Sequence, residues 1–202
     1  MGKINTVIFD IGNVLTDFCW EQFIMNKGYS QEMMERISRA SIHTKEWNEL
    51  DRGIMKEEDV VELFIQKDPE IKDAILHVFQ DLSGIISERE YAIPWVNELK
   101  SRGYQVLVLS NFPGKAHVEC KDQMKFLDHV DGGILSYQDQ LIKPDPAIYQ
   151  LLLKRYDLNA SQCVFIDDLE KNIQAGKEQG INGIQFISRE QVIEELENLL
   201  SL

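Results

Sequence analysis

The chain has 202 residues, of which 44% are hydrophobic, and its 34 acidic and 21 basic side chains give a formal net charge of −13. This composition favours one globular core, with room for a small inserted subdomain, and argues against a disordered chain. The acidic balance argues against a nucleic-acid partner and against an anionic membrane surface as a partner, because both require clustered Lys and Arg.

Cysteine usage and the absence of long apolar runs suggest a compartment. Cys19, Cys120 and Cys163 are odd in number and lack CxxC spacing, so we expect free, buried thiols in a reducing environment. No apolar run is long enough to span a bilayer, and the first ten residues show no signal-like apolar segment. These features predict a cytoplasmic protein. We expect a monomer or a weak homodimer, although these features do not bear on the oligomeric state.

The first element is a β-branched and aromatic run at residues 6–9, which predicts a buried strand. Similar runs predict strands at residues 106–109 and 163–166, with a weaker one at 183–186. Amphipathic segments at residues 93–102, 146–156 and 171–179 predict helices between these strands. This alternation predicts an α/β fold, a doubly wound parallel sheet with helices on both faces.

Residues 17–87 break the alternation and predict a helical insertion directly after the first strand. Apolar residues at helical spacing predict helices near residues 20–26, 31–41, 45–51, 57–66 and 70–82. Ser30 and Asp68-Pro69 supply start signals, and Gly53 supplies a stop. We therefore expect a core of residues 1–16 and 88–202 and a helical cap of residues 17–87, with a return hinge near residues 87–90.

Four short motifs lie at the carboxyl ends of the predicted parallel strands, the edge at which open α/β sheets bind ligands. In chain order they are Phe9-Asp10-Ile11-Gly12-Asn13, Ser110-Asn111, Lys143-Pro144-Asp145-Pro146, and Asp167-Asp168 followed by Asn172. The fold brings such motifs together although they lie far apart in the chain, so we expect them to form one site.

Four residues in these motifs suit phosphoryl transfer directly. Asp10 offers a carboxylate that can attack phosphorus and form an acyl phosphate. Lys143 offers a positive charge, while Ser110 and the backbone at Asn111 can donate hydrogen bonds to phosphoryl oxygens. These residues predict a small phosphorylated metabolite as the partner.

Three acids at one sheet edge call for a cation. Asp167 and Asp168, placed beside Asp10, would be costly to bury together unless their pKa values rose or a cation lay between them. Mg²⁺ fits, because it takes oxygen ligands and can bridge a carboxylate to a phosphate. Mg²⁺ and Lys143 would then supply the local positive charge that the acidic exterior lacks.

With all four motifs in this order across nearly the whole chain, the sequence resembles the haloacid dehalogenase-like hydrolase superfamily. The resemblance implies a doubly wound core, a helical cap inserted after the first motif, and a mechanism through an aspartyl phosphate. By position it implies that Asp10 is the nucleophile and a metal ligand. It also implies that the metal is held by the backbone carbonyl of Gly12 and by Asp168, with Asp167 beside it.

The same resemblance assigns the phosphate contacts. It implies that Ser110 and Asn111 bind the phosphate and that Lys143 stabilises the phosphoryl group, so that Lys143 is both a catalytic and a substrate-binding residue. The implied cofactor is Mg²⁺.

Position 12 departs from the family's common pattern. Most phosphatases of this superfamily have a second Asp there, acting as general acid and then base, and the true dehalogenases have a Tyr; this chain has Gly12. Loss of a general acid–base typically costs ~10²–10⁴-fold in rate. The string Phe-Asp-Ile-Gly-Asn-Val resembles a subgroup with Gly at this position, which includes phosphatases of α-D-glucose 1-phosphate. The resemblance therefore implies a Mg²⁺-dependent phosphatase, with a sugar phosphate as the expected substrate.

Two other functions stay open at this point. A catalytically silent protein could keep the phosphate site after losing its acid–base, as Gly12 would allow. A haloacid dehalogenase would share the Asp10 nucleophile but would need no metal, and Asp168 together with the missing Tyr counts against it.

Several further residues have both a functional and a structural interpretation. Asp17 could replace the missing acid, but a hinge or helix-cap residue is the favoured interpretation. Asn172 could orient Asp168 or lie on an exposed helix face. In the cap, three side chains could reach a substrate, although core or surface positions are more common for such residues: Trp47, His43 and Arg52.

Overall fold

The computed structural model describes residues 3–200. Its strands are β1 Thr6–Phe9, β2 Thr16–Phe18, β3 Ile86–Glu88, β4 Gln105–Ser110, β5 Gly132–Leu135, β6 Cys163–Asp167 and β7 Asn182–Gln185. Its helices are α1 Trp20–Asn26, α2 Gln31–Ala40, α3 Trp47–Arg52, α4 Glu57–Lys67, α5 Lys72–Gln80, α6 Ala92–Ser101, α7 Gly114–Glu119, α8 Ser136–Asp139, α9 Pro146–Arg155, α10 Glu170–Glu178 and α11 Arg189–Leu200. Short 3₁₀ turns join some of them.

Five strands form one parallel sheet in the order β5-β4-β1-β6-β7. The central strand β1 pairs on both sides, with Ile8 opposite Leu107 of β4 and Phe165 of β6. The chain winds outward from β1 first to one edge and then to the other. The α/β class with a doubly wound parallel sheet is therefore confirmed.

Strand β5 was not predicted, and its glycines explain why. It begins with Gly132 and Gly133, which in a sequence indicate a turn rather than a strand. A Cβ on Gly133 would lie 2.2 Å from the backbone oxygen of Val108, so the close approach of β4 and β5 requires glycine there. The short helices α7 and α8 and the terminal helix α11 were not predicted either.

Both faces of the sheet are covered by apolar layers. On one face Phe9 and Val108 pack in a cluster that includes Trp95 of α6, and on the other Ile8 and Phe165 pack with Tyr149 of α9. Successive strand residues point to opposite faces, and both faces are buried, which is why these strands read as uninterrupted apolar runs. None of the helices in residues 3–200 has the length and apolar composition needed to cross a membrane.

Helices α1 to α5 lie between β2 and β3, which pair antiparallel with Thr16 opposite Glu88. This two-stranded ribbon is where the chain leaves the main sheet and returns to it. Helix α3 begins two residues later than predicted, and α5 is preceded by a 3₁₀ turn at Pro69–Ile71. The division into a core of residues 1–16 and 88–202 and a cap of residues 17–87 stays a prediction, and residues 1, 2, 201 and 202 lie outside the described part of the chain.

Candidate active site

Asp10 is the first residue after β1, at the carboxyl edge of the sheet. Its backbone N–H donates to the carbonyl of Ile166 at 2.8 Å, which continues the pairing of β1 with β6. The next backbone N–H, that of Ile11, donates to the Asp10 Oδ1 at 2.7 Å. The residue is only 7% exposed. Sheet pairing therefore fixes both the position and the orientation of this carboxylate.

Lys143 lies between two carboxylates. Its Nζ is 2.9 Å from Oδ1 of Asp10 and 2.7 Å from Oδ2 of Asp167, and its side chain is 1% exposed. Burial by itself would lower the pKa of Lys143, but the two carboxylates outweigh it and raise that pKa above its ordinary value. The ammonium group is therefore a permanent positive charge next to the candidate nucleophile.

The electrostatic balance at Asp10 is unfavourable for an anion. Burial raises the pKa of Asp10 well above its ordinary range, and the negative charge of Asp167 adds to this effect. The opposing influences are the charge and hydrogen bond of Lys143 and a hydrogen bond with Ser110. One lysine does not neutralise several carboxylates, so ionised Asp10 needs a further cation nearby.

The two adjacent acids after β6 have different surroundings. Asp167 is fully buried, and both of its oxygens accept hydrogen bonds, from Lys143 Nζ, from Nδ2 of Asn172 at 3.0 Å and from the backbone of Leu169 at 2.8 Å. Asp168 is half-buried and accepts one side-chain hydrogen bond, from Nδ2 of Asn13 to Oδ2 at 3.0 Å. Asp167 therefore holds Lys143 in place, while Asp168 keeps an oxygen free to bind a ligand.

The acid cluster has the donor set of a magnesium site. Asp10, Asp167 and Asp168 each offer a carboxylate oxygen, and these oxygens lie within 4.8 Å of one another. Burial also raises the pKa of Asp168, and the negative charge of Asp167 adds to this effect. The Oδ1 of Asn172 is buried and accepts no hydrogen bond from the described residues, which leaves one more oxygen acceptor at this wall. An all-oxygen set with several carboxylates suits Mg²⁺.

Asn111 and Ser110 are both placed at the site, but in different ways. The side chain of Asn111 is occupied by the backbone of Lys143, donating to its carbonyl at 3.0 Å and accepting from its N–H at 2.7 Å. Ser110 ends β4, is 1% exposed and is hydrogen-bonded with Asp10. Asn111 thus positions the Lys143 loop, and its side chain has little capacity left for a phosphate.

Asp10 opens into a cavity of about 570 Å³ between the sheet edge and the helical insertion, which lines it with α1, α3 and the residues that follow α2 and α5. Its polar lining residues include Lys143, Asp168 and Asn172. Its lining also has many apolar and aromatic side chains, which are Phe18, Trp20, Ile42, Trp47, Leu82, Ile85, Ile86 and Phe112. A phosphate would find its partners among the polar residues, and the rest of a substrate would contact the apolar ones.

The other candidate substrate contacts and the candidate replacement acid differ in whether they line the cavity. Trp47 and His43 line the cavity, whereas Arg52 lies near Glu49 on its own helix and does not line it. Asp17 lies on β2 and pairs with Arg89, with Nη2 of Arg89 2.7 Å from its Oδ1, so it is a residue of the hinge ribbon. 

Asn172 contacts a different acid from the one that the sequence suggested. It donates to Asp167 and not to Asp168, and it is buried rather than on an exposed helix face. The partner of Asp168 is Asn13, which the sequence did not single out.

One acid of the cavity was not singled out from the sequence. Asp51, on α3, is 6% exposed and lines the same cavity as Asp10 and Lys143. Burial raises the pKa of Asp51 to about 7, with Lys143 opposing this and the charge of Asp10 adding to it. Its place on α3, four residues after Trp47, was the available signal, because residues four apart share a helix face.

Comparison with known proteins gives consistent results. A family model for haloacid dehalogenase-like hydrolases matches residues 4–180. The sesquiterpene phosphatase astK of Aspergillus oryzae is 24% identical over 179 residues, covering 89% of this chain and 88% of its own. The (S)-2-haloacid dehalogenase 4A of Burkholderia cepacia is 28% identical over 117 residues, which are 57% of this chain and 48% of that protein.

A solved structure matches as well. The HAD family enzyme bt-2542 of Bacteroides thetaiotaomicron, in complex with magnesium and inorganic phosphate, superimposes with a TM-score of 0.70 at 20% identity, covering 90% of this chain and 93% of that one. This likeness supports the fold, and the family model spans most of the chain. The chain belongs to the haloacid dehalogenase-like hydrolase family.

Proposed function

We propose that this hydrolase is a Mg²⁺-dependent phosphatase that cleaves a small phosphate monoester through an aspartyl phosphate at Asp10. One observation carries the proposal. A buried carboxylate at the sheet edge contacts a buried lysine, lies within reach of two further acids, and opens into a cavity of about 570 Å³. Phosphoryl transfer needs this combination of nucleophile, positive charge and cation-binding oxygens.

The side chains divide the work as follows. Asp10 is the group that attacks phosphorus, and the hydrogen bond from Ile11 and the sheet pairing hold it in one orientation. Lys143 faces the phosphoryl oxygens with a charge that Asp167 keeps fixed. Bound Mg²⁺, held by Asp10, the backbone carbonyl of Gly12 and Asp168, would offset the charge of the acids and of the phosphate.

The lining of the cavity restricts the class of substrate. Its apolar and aromatic side chains suit an apolar group or the apolar face of a sugar ring. The likeness to the sesquiterpene phosphatase astK supports a substrate with an apolar part. The sugar phosphate expected from the sequence stays a prediction. We therefore propose a monoester whose organic part contacts the apolar lining of the cavity, including Trp47 and Phe112.

The test is phosphate release from a panel that includes α-D-glucose 1-phosphate, farnesyl phosphate and 4-nitrophenyl phosphate. Each is measured with Mg²⁺ and with a chelator. We expect turnover with Mg²⁺, and at least about a 10³-fold loss in Asp10→Asn, because the nucleophile is gone. Asp59→Asn, which removes the same charge from an exposed position on α4, is the matched control and should keep wild-type activity. Equal rates in wild type and Asp10→Asn would refute the proposal.

The dehalogenase alternative uses the same nucleophile on carbon, and the likeness to the Burkholderia cepacia enzyme supports including it. It predicts chloride release from 2-chloropropionate in the presence of a chelator. A silent binding protein instead predicts that inorganic phosphate raises the melting temperature while no panel member is turned over. Either result would replace the phosphatase proposal.

A further inference from the structure

Position 12 has room for an acid that this chain does not have. A Cβ on Gly12 would meet no atom within 4 Å, and its backbone lies outside the left-handed region that requires glycine. Packing therefore does not explain the glycine. If the chain hydrolyses phosphate esters, the proton for the leaving group must come from another side chain.

Among the described residues, three carboxylates line the cavity: Asp10, Asp51 and Asp168. Asp10 is the candidate nucleophile and Asp168 the candidate metal ligand. In-line displacement places the leaving oxygen on the side of phosphorus that faces away from Asp10, toward the cavity and the helices that cover it. Asp51 belongs to those helices, and it is the remaining carboxyl group on that side.

Asp51 is buried without the partners that a purely structural acid normally has. It is 6% exposed, and within residues 3–200 its carboxylate forms no hydrogen bond and no ion pair. Buried carboxyl groups usually have such partners, because desolvation without them is costly. A carboxyl group kept free at a cavity wall is available to a substrate.

The backbone of Asp51 is held against the sheet rather than being free to move with a loop. Its carbonyl accepts a hydrogen bond from Oγ of Ser136 at 2.5 Å, and the same Oγ accepts from the backbone of Phe112 at 2.8 Å. Helix α3 is capped by Gly53, which has a left-handed backbone and lies against Tyr137. A Cβ on Gly53 would be 2.9 Å from the backbone oxygen of Tyr137. These contacts fix the backbone from which the Asp51 carboxyl group projects.

Burial keeps the proton of Asp51 available. Burial raises its pKa to about 7, so near neutral pH the group can give up a proton and take one back. The charged groups that act on it are Lys143, which opposes this rise, and Asp10, which adds to it. No hydrogen bond joins Asp51 to either of them in the described residues.

We propose that Asp51 is the general acid and base of the reaction, in the role that Gly12 leaves vacant; this inference rests on the proposed phosphatase function. In the first half, an Asp10 oxygen bonds to phosphorus, the bond from phosphorus to the leaving oxygen breaks, and the Asp51 proton moves to that oxygen to give the free alcohol. In the second half, water attacks phosphorus, its proton moves to Asp51, and the bond from Asp10 to phosphorus breaks. Inorganic phosphate leaves, and both aspartates are restored.

The test compares two aromatic monophosphates that differ in their need for an acid. The leaving group of 4-nitrophenyl phosphate departs without protonation, whereas that of 2-phenylethyl phosphate requires it. In Asp51→Asn we expect kcat for 2-phenylethyl phosphate to fall by about 10²–10⁴-fold. Formation of the aspartyl phosphate from 4-nitrophenyl phosphate should stay within about tenfold of wild type, and its hydrolysis should slow. The result is a burst of one nitrophenolate per enzyme, which a merely structural change would not produce.

Three further variants sharpen the comparison. Asp51→Glu keeps a carboxyl group and should lose less activity than Asp51→Asn. Asn48→Ala removes another polar group that lines the cavity from α3 and should give no burst. Gly12→Asp in the Asp51→Asn background should recover part of the activity toward 2-phenylethyl phosphate, because the space at position 12 is open.

The outcomes separate this inference from the proposed function. Wild-type rates in Asp51→Asn, or an equal loss with both substrates and no burst, would overturn the role of Asp51 while leaving the phosphatase in place. Absence of turnover in the wild-type protein would instead overturn the phosphatase proposal.

Discussion

Replacing Asp51 by Asn should change how the stability of the protein depends on pH. The carboxyl group is 6% exposed and has no hydrogen-bond partner in the described residues, and burial raises its pKa from 3.8 to about 7. Asn has nearly the same shape but does not ionise. The substitution therefore removes the cost of the charge and little else.

The sign follows from proton binding. Between 3.8 and about 7 the folded protein holds the Asp51 proton more strongly than the unfolded chain, so the group's contribution to the free energy of unfolding is fully present below pH 3.8 and is lost as the pH rises to about 7. At about 1.4 kcal/mol per pH unit the whole loss is about 4 kcal/mol, and about 3 kcal/mol of it falls between pH 5 and pH 8. Asp51→Asn should not show this loss.

The measurement is urea unfolding at pH 5 and pH 8 with a chelator present, analysed by linear extrapolation. We expect Asp51→Asn to gain about 3 kcal/mol over wild type between the two pH values. Asp59→Asn, an exposed acid on α4, should show no such gain. A stability difference that is the same at both pH values would refute the assignment of a buried, unpartnered acid at position 51.

Three other substitutions test the rest of the site. Lys143→Met should lower the free energy of unfolding by about 3–5 kcal/mol in metal-free urea titrations, because it leaves buried Asp10 and Asp167 without their counter-charge; a loss under about 1 kcal/mol would contradict the buried ion pair. Asp168→Asn should weaken Mg²⁺ binding in calorimetry by at least about tenfold, whereas Asp17→Asn, outside the cavity, should not. Gly53→Ala should lower the free energy of unfolding by about 1–3 kcal/mol, which is more than Gly28→Ala should cost. Both glycines have a left-handed backbone, but of these two only Gly53 has a neighbour, the backbone oxygen of Tyr137, at 2.9 Å from the added Cβ. Equal losses would show that the contact with Tyr137 is unimportant.

The sheet could be predicted wherever a strand is buried on both faces. Strands β1, β4 and β6 are unbroken apolar runs, because helices cover both sides and leave no polar alternation. Strand β5 could not be predicted, since Gly133 is required by the close approach of Val108 and Gly132 by that of Tyr156, and both neighbours lie far away in the sequence. A local pattern does not contain this information.

The candidate site likewise has a part that could be predicted from the sequence and a part that could not. Asp10 and Asp168 could be placed together because strand ends determine where they lie, whereas Lys143 lies in the loop after α8 that Asn111 holds. Which polar side chain holds which acid could not be predicted. Asn172 lies four residues after Asp168 and yet contacts Asp167, because side-chain orientation at the start of α10 decides the partner.

Asp51 was not predicted as a site residue, although the sequence contained a signal for its buried position. Trp47, Leu50 and Asp51 are three and four residues apart, so on a helix they share one face, and Leu50 marks that face as buried. An acid on the buried face of a short helix requires an explanation, since Asp is seldom fully buried without a partner. The sequence also showed that Gly12 removes an acid from the first motif. Position 12 at the sheet edge lacks an acid, and Asp51 on the buried face of α3 is an acid without a structural role. Both positions line the same cavity, so Asp51 can supply the group that position 12 lacks.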